Sequence, residues 1–433
     1  MSKSINKPSI RFNGFTDDWE NQKISDVFET VTDYVAAGSF ADIAANVKYL
    51  DSQSYAQLVR TMDLKNGFTS SSEVYVDEHA FNYLYRVNLD KECIILPNIG
   101  NCGEVYLVKP KDLPYPHNVL GPNAILVRTE KYSNEFMSVL LQADDFQHKL
   151  SLIISPNGQT KFNKSELKNI EMALPTSKKE QTHIGDTFLG IDNLIALHQR
   201  KYDQLQVLKN AMLEKMFPQN GSRVPELRFK GFADAWEPRK LEDMCTIITK
   251  QTGFDYSAAI KPSLVTTKEV NTYSFIQNKD FEGTNINLDT DFFIPISVAE
   301  RYPKITLDQP SLLISISGRI GNVGLYSLSS KAFIGGAVGI CKLKNIEDGK
   351  TALYELLAPI GQKYFNSLIK ASSHANITVE DIRKIYILLP KDEAEKRKLN
   401  SYFENLDNFI TLHQRKIDAL KNLKQSMLKK MFV

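Results

Sequence analysis

The chain has 433 residues, 53 of them basic and 51 acidic, for a formal net charge of +2, and 42% of its residues are apolar. This length predicts two or three domains with real cores, and the charge balance excludes a polycationic tail without excluding local basic surfaces for nucleic acid. Four scattered cysteines without a CxxC pair exclude a disulfide framework or zinc site and favour a reduced, cytoplasmic protein. The longest apolar runs have strand length, so we expect no membrane contact, and the N-terminus does not resemble a signal peptide.

The first recognisable element is an aromatic stretch that occurs twice. RFNGFTDDWENQKISDVF (Arg11–Phe28) is repeated as RFKGFADAWEPRKLEDMC (Arg228–Cys245), with nine of 18 positions identical. We refer to RFxGFxxxWE in each copy as the Trp motif. It could be mistaken for an aromatic platform for nucleic acid. We expect it instead to pack the start of a module against the helices described below.

Each Trp motif is followed by a variable module with short strands separated by turn residues, which predicts a mixed α/β fold. The two modules share only two short similar segments, which we call echoes. LVRTMDL (Leu58–Leu64) resembles LVTTKEV (Leu264–Val270), and IGNCGEVY (Ile99–Tyr106) resembles IGNVGLY (Ile320–Tyr326). The glycines of the second echo precede a strand rather than a helix, so we expect tight turns rather than a phosphate loop. Their backbone amides could still meet a DNA phosphate.

Each module leads into a long amphipathic segment. Phe188–Phe217 and Phe403–Phe432 are identical at 18 of 30 positions and share LHQRK. Apolar residues at spacings of three and four predict two long helices, about 37 residues and about 55 Å each, that pair as an antiparallel coiled coil. We expect His198 and His413 to lie in the seam and fix its register rather than bind a metal. The residues Arg200, Lys201, Arg415 and Lys416 point away from the seam, toward solvent, a partner protein or DNA phosphates.

The repeat predicts an internal pseudo-two-fold axis and a boundary in the proline- and glycine-containing stretch PQNGSRVPEL. We expect the first module at residues 11–178, the first long helix at 179–217, a linker at 218–227, the second module at 228–392 and the second long helix at 393–433.

No catalytic motif is found in the sequence. There is no phosphate loop, no G-x-S-x-G, no H-E-x-x-H and no glycine-rich loop suited to a dinucleotide or S-adenosylmethionine. The sequence therefore predicts a non-enzyme that binds no cofactor or metal. Two alternatives remain: a coiled-coil scaffold or adaptor with two ligand-binding modules, and a nuclease using acidic pairs such as Asp289 and Asp291.

In both halves, the Trp motif, the variable module and the helix written LDNFITLHQRKIDALKNLKQSML in the second copy resemble the specificity subunit of type I restriction-modification enzymes. The resemblance covers nearly the whole chain. It implies two target recognition domains, each reading one half of a bipartite DNA sequence, and long helices that separate them, set the half-site spacing and dock two modification (methyltransferase) subunits. It further implies adenine methylation by those subunits, two restriction (translocase/nuclease) subunits, and S-adenosylmethionine, ATP and Mg on these partners rather than on this chain.

The residues that read bases cannot be transferred from the family, because its recognition domains vary too much. Polar residues in and near the echoes are the candidates, since side-chain donors and acceptors read base edges. In the first module these are Arg60, Thr61, Asp63, Lys65, Asn98, Asn101 and Gln159. In the second they are Thr266, Thr267, Lys268, Ser317, Arg319, Asn322, His374 and Asn376.

Overall fold

The computed structural model describes residues 7–69, 72–155, 160–219, 221–369 and 376–433. The chain divides into two compact units. Unit 1 combines the chain up to Leu197 with Lys416–Val433, and unit 2 is His198–Arg415. Each unit therefore contains one module and part of both long helices.

Unit 1 is a mixed α/β body. Its strands are β1 (Glu20–Lys23), β2 (Thr30–Asp33), β3 (Ala56–Val59), β4 (Tyr75–Val76), β5 (Cys93–Pro97), β6 (Tyr106–Val108), β7 (Asn118–Leu120), β8 (Ala124–Arg128) and β9 (Glu171–Leu174). Its helices are α1 (Ile24–Val27), α2 (Phe40–Asn46), α3 (Thr61–Lys65), α4 (Glu78–Tyr83), α5 (Asn134–Leu140), α6 (Asp144–Ile153), α7 (Lys164–Lys168) and the first part of α8 (Lys178–Lys215).

The central sheet of unit 1 has the order β2-β8-β5-β6, and all its neighbours are antiparallel. Strand β5 is buried throughout, and its side chains alternate between two cores as strand geometry requires. Ile94 and Leu96 pack with Trp19 on one face, and Cys93 and Ile95 pack on the other. A second sheet, β4-β3-β7, covers that other face, and the β1–β9 ladder ties the start of the module to its end.

Unit 2 repeats this plan. Its strands are β10 (Glu237–Lys240), β11 (Cys245–Lys250), β12 (Thr272–Ile276), β13 (Phe281–Glu282), β14 (Asn285–Ile286), β15 (Phe293–Pro295), β16 (Thr306–Leu307), β17 (Ser311–Ser315), β18 (Val323–Tyr326), β19 (Ala332–Ile334), β20 (Val338–Leu343) and β21 (Tyr386–Leu389). Its helices are α9 (Leu241–Met244), α10 (Gly253–Asp255), α11 (Lys261–Ser263), α12 (Ile296–Ala299), α13 (Ile346–Leu357), α14 (Pro359–Leu368), α15 (Val379–Arg383) and most of α16 (Glu393–Lys430).

The central sheet of unit 2, β11-β20-β17-β18, has the same antiparallel plan, and β15-β12-β19-β16 covers one face. The stretch KLEDMCTIITK is helical only over Leu241–Met244. The β-branched run that follows becomes β11 and pairs with β20, because β-branched residues suit a pleated, half-buried strand. The predicted fold class, mixed α/β with two similar modules and two long helices, is confirmed.

Helices α8 and α16 have 38 residues each, or about 57 Å at about 1.5 Å per residue. In each unit the two run antiparallel, as predicted. Helix α8 approaches α5 closely at Gly185, where a Cβ atom would lie 2.9 Å from the backbone nitrogen of Phe136. Only glycine allows this approach, so the packing of α8 against α5 requires Gly185.

Candidate nucleic-acid interface

A buried ion pair joins each Trp motif to the first turn of the long helix of its own half. In unit 1, Arg11 donates to both carboxylate oxygens of Glu180 at 2.5 and 2.7 Å. In unit 2, Arg228 does the same to Glu395 at 2.5 and 2.8 Å. Both carboxylates are buried, so the paired charges hold the module at a fixed angle to its helix. The sequence did not lead us to predict either pairing, although the glutamates follow their arginines by the similar separations of 169 and 167 residues.

The tryptophans pack against the end of a long helix, as predicted. In unit 1 the ring of Trp19 lies edge-on to Phe432 with centroids 5.9 Å apart. In unit 2, Trp236 meets Phe217 at the same distance. Each Trp motif is therefore fixed by its own half's helix through the arginine and by the other half's helix through the tryptophan. Both tryptophans are buried, which makes them core residues rather than a base-stacking platform.

The long helices meet through a seam of paired polar groups. His198 Nδ1 lies 3.0 Å from His413 Nδ1, so one ring donates and the other accepts. This confirms that the histidines are seam residues. In unit 1, Lys424 pairs with Asp192 at 2.7 Å.

The same pair recurs in unit 2, where Lys209 contacts Asp407. Asp407 also accepts hydrogen bonds from Thr284 at 2.9 Å and Tyr354 at 3.0 Å, so the seam is tied to the second module. Burial first, and then the charge of Asp407, raise the pKa of Tyr354. The four cations predicted to point off the seam are all exposed: Arg200, Lys201, Arg415 and Lys416.

Two glycine turns lie at matching ends of the central sheets: the first glycine turn, Gly100–Gly103, and the second, Gly318–Gly321. The first and last glycine of each have φ between 73° and 100°, the left-handed region that favours glycine. Gln147 donates to the carbonyl of the last glycine of the first turn at 3.0 Å, and Gln362 does the same in the second at 2.9 Å. Both turns are thus fixed by the same side-chain contact.

This equivalence corrects the alignment of the glycine echo. The sequence match placed Ile99–Tyr106 beside Ile320–Tyr326. The strand pairings are Cys93 with Val108 and Ser311 with Tyr326, which makes IGNCG equivalent to SGRIG. The apparent sequence match was displaced by three residues, because the second module has three glycines at a spacing of three, Gly318, Gly321 and Gly324, so two registers are possible.

The structure places the predicted residues of the first module around α3 and the first glycine turn. Arg60 and Asp63 pair with each other at 2.7 Å, and Asp63 is buried, so these two groups are committed within the protein. Lys65 reaches Glu104, directly after the glycine turn, at 2.6 Å. Asn98 donates to the carbonyl of Phe162 at 3.3 Å. Thr61 lies in the first turn of α3, and Asn101 is exposed at the tip of the turn.

In the second module, one group of predicted residues lies at or beside the second glycine turn. A second group lies elsewhere in the chain, before β12. Ser317 forms a bridge to Asn376 and accepts a hydrogen bond from Asn278 at 2.6 Å, and Asn322 closes the same turn. Arg319 is exposed at the tip. The predicted residues before β12 are all exposed: Thr266, Thr267 and Lys268. The predicted residues Gln159 and His374 lie outside the described residues.

The described residues offer no metal site that would support the nuclease alternative. Asp291 contacts Lys279, and within the described ranges no group of three or more histidine, cysteine, aspartate or glutamate side chains could hold a metal ion. Among the helices that the structure describes, none combines the length and apolar character needed to cross a membrane.

The sequence model of the type I restriction modification DNA specificity domain matches residues 16–207 and again 233–422. The chain therefore belongs to the family of type I restriction-modification specificity subunits, and it carries the family domain twice, as the sequence predicted.

Curated relatives and solved structures agree with this assignment. The type I restriction enzyme MjaVIII specificity subunit of Methanocaldococcus jannaschii is 23% identical over 354 residues, which cover 78% of this chain and 77% of the relative. The putative MjaX specificity subunit of the same organism is 22% identical over 431 residues, 95% and 92% of the two chains. The crystal structure of the type I S subunit from M. genitalium shares the fold, with a TM-score of 0.66 at 14% identity and 99% coverage of both chains.

Proposed function

We propose that each module reads one half of a bipartite sequence in double-stranded DNA, and that α8 and α16 set the spacing between the half-sites. One observation carries the proposal. Both units hold their module by the same Arg–Glu pair and the same Trp–Phe contact, yet the tips of the glycine turns differ, with Asn101 in one and Arg319 in the other. A constant frame with unlike tips is what two readers of different sequences need.

The chemistry of the exposed groups supports this role. Arginine and asparagine present donors that distinguish bases in the major groove, while lysine and backbone amides position the protein on phosphates. Two modules on one chain bind DNA bivalently, so weak half-sites combine into tight binding only at the right spacing. Within the candidate set, the exposed groups Asn101, Thr266, Thr267, Lys268 and Arg319 are the foremost base or phosphate contacts. Arg60 and Asp63 are retained as shape-determining residues.

The proposal extends to partners and cofactors. Two modification subunits dock on the long helices and methylate one adenine in each half-site, and two restriction subunits add translocation and cleavage. S-adenosylmethionine, ATP and Mg bind those partners, and this chain contributes recognition without catalysis in the cytoplasm. The exposed cations Arg200, Lys201, Arg415 and Lys416 give the outer faces of both helices the same basic pattern for a docked partner.

Methylation mapping tests the proposal. The full chain is co-expressed with a cognate modification subunit in a host lacking other adenine methylation, and modified adenines are located across the genome. We expect one split motif with two constant half-sites and a fixed gap. Methylation at a continuous motif, or at no reproducible motif, would contradict the proposal.

A further inference from the structure

We propose that Phe40 and Phe254 are apolar wedges that contact the DNA bases, one at each half-site. This inference rests on the proposed function and names how each module engages its base pairs. The two rings are 83% and 82% exposed, far more than the other phenylalanines exposed on the described surface. A single exposed apolar side chain needs no explanation. Two such rings do, because each follows the first strand of its module's central sheet within a few residues.

Both rings lie just after a side-chain cap at the start of a short helix. Phe40 begins α2, which follows β2 after a 3-10 turn at Tyr34–Ala37, and Phe254 lies in the first turn of α10, shortly after β11. In unit 1, Ser39 accepts a hydrogen bond from the backbone of Asp42 at 3.2 Å. In unit 2, Thr252 accepts one from the backbone of Asp255 at 3.1 Å. These caps fix the backbone that carries the phenylalanine, so little conformational entropy is lost when the ring meets a ligand.

In unit 1 the ring stands beside the first glycine turn. Phe40 lines a cavity of about 500 Å³ with Val35, Tyr49, Asn98 and Ile99, and the last two precede the first glycine directly. Val35 and Tyr49 are also about half exposed. The wedge and the predicted reading residue Asn98 therefore face the same space.

Unit 2 has the corresponding connection. Gln251, directly before the cap of Phe254, donates to the carbonyl of Ile334 at 3.4 Å. A few residues on, the carbonyl of Ala337 accepts from the backbone of Ile316, which precedes the second glycine turn. In unit 1 the same link is made by the backbone nitrogen of Asn98, which donates to the carbonyl of Asn123 at 3.1 Å.

Asn123 and Ala337 both have positive φ, 71° and 67°. Positive φ is uncommon outside glycine, and its recurrence at this link shows that both modules build this corner in the same way.

The exposed cations of the two modules indicate that the ligand of these rings is DNA. Lys161, which is exposed, bridges to Ile99 beside the first turn, and Arg319 is exposed in the second. A module that exposes an apolar ring and also a cation at or beside its glycine turn fits a polyanion with flat apolar faces, which describes DNA bases on their phosphate backbone. A phenylalanine can enter a duplex by separating two base pairs. A base that leaves the stack for methylation creates such a separated step.

The test uses the complex of the full chain with its modification subunit and a duplex that carries the mapped split sequence. 2-Aminopurine replaces the base next to the methylated adenine, in one half-site at a time, so its fluorescence reports local unstacking. We expect F40A to abolish the fluorescence rise at one half-site and F254A at the other, with each lowering affinity for this duplex about tenfold through the lost stacking on a base. The aromatic variants F40W and F254W should retain both signals.

Leu152→Ala and Tyr386→Ala remove other exposed apolar side chains, 72% and 59% exposed, and should leave both signals unchanged. If F40A and F254A bind and unstack like the wild type, the inference is wrong while the proposed function stands. An equal loss in the control variants also overturns it, since it points to general surface hydrophobicity. If the wild-type complex recognises no split sequence, the proposed function fails and this inference fails with it.

Discussion

At the scale of single residues, the charges that matter most are buried ones. Glu395 is almost inaccessible, and Arg228 binds both of its oxygens. Such a pair adds little over an apolar contact, but removing one member leaves the other charge without compensation. The Arg228–Glu395 pair serves to orient the second module, because it links the Trp motif of that module to the start of α16.

Glu395→Ala should therefore lower the free energy of unfolding of unit 2 by about 3 kcal/mol. The chain has two tryptophans, one in each unit, so a Trp19→Phe background leaves Trp236 as the only tryptophan and as a reporter of unit 2 during urea unfolding. The matched control is Glu380→Ala, which removes an exposed carboxylate 3.6 Å from Lys384 and should cost under about 0.5 kcal/mol. Equal effects of the two variants would contradict the assigned role of Glu395.

The buried carboxyl of Glu355 should make the stability of unit 2 depend on pH. Burial raises the pKa of its carboxyl to about 8, although the backbone amide of Leu388 donates to it at 2.8 Å. Between its unfolded pKa near 4.5 and about 8, the folded state binds the proton more tightly than the unfolded state does. The stability of unit 2 should then fall as pH rises through this window, by up to about 1.4 kcal/mol per pH unit.

Glu355→Gln keeps an acceptor for the Leu388 amide and cannot ionise. In urea unfolding followed through Trp236, we expect this variant to lose the downward slope between pH 5 and 8 and to exceed the wild type in stability at pH 8. Parallel pH profiles for the two proteins would show that Glu355 does not control the dependence. Gln147 donates to the carbonyl of Leu141 as Gln362 does to that of Leu356, so Leu140 of unit 1 corresponds to Glu355, and the stability of unit 1 should not carry this slope.

At the scale of elements, the long helices repeat polar pairs as well as the apolar residues of the seam. The pairs Lys424–Asp192 and Lys209–Asp407 occupy equivalent positions, and the histidine pair occurs once, where equivalent residues of α8 and α16 meet. Polar groups within a seam fix register, because a shift would leave them buried without partners. The helices can therefore serve as a spacer of defined length.

Lengthening both helices should change the gap between half-sites and nothing else. A seven-residue copy of the local seam, inserted after Leu197 in α8 and after Arg415 in α16, adds about 10 Å, or about three base pairs. Methylation mapping should find the original half-sites separated by a longer gap. The control lengthens one helix only, which places the seams out of register and should reduce methylation. New half-site sequences would show that the helices take part in reading bases.

At the scale of the whole molecule, net charge is a poor guide to the ligand. The total of +2 conceals exposed cations at the glycine turns and on the outer faces of the helices. A reader of DNA depends on such local charges, since binding releases counterions from the phosphates. A scaffold for peptides or glycans does not.

The complex with modification subunits should therefore bind its duplex with strong salt dependence. If six to ten phosphates are contacted, affinity should fall by about 10³-fold or more between 50 and 200 mM salt. Fluorescence anisotropy with a labelled duplex measures this, and a scrambled duplex of equal length separates specific from non-specific binding. Affinity independent of salt would favour the scaffold function.

Much of the fold could be predicted because the same segments occur twice in the sequence. The copies of LHQRK and of the Trp motif identified two long helices, two modules and a shared frame, and the apolar spacing placed His198 and His413 in the seam. The candidate site was harder to predict. Arg60 and Asp63 are polar residues in a matching echo, yet they neutralise each other, and their sequence does not show whether they face a ligand or each other.

By itself, the sequence determined the family, the duplication, the periodicity of the helices and the absence of known catalytic motifs, because these depend on local pattern. The tertiary structure decided which glycines are equivalent, that Glu180 and Glu395 receive the arginines, that each tryptophan meets the other half's helix, and that Phe40 and Phe254 remain exposed. These features depend on strand register and on antiparallel pairing between residues far apart in the chain. Such contacts are selected by packing and burial in three dimensions, and no local pattern encodes them.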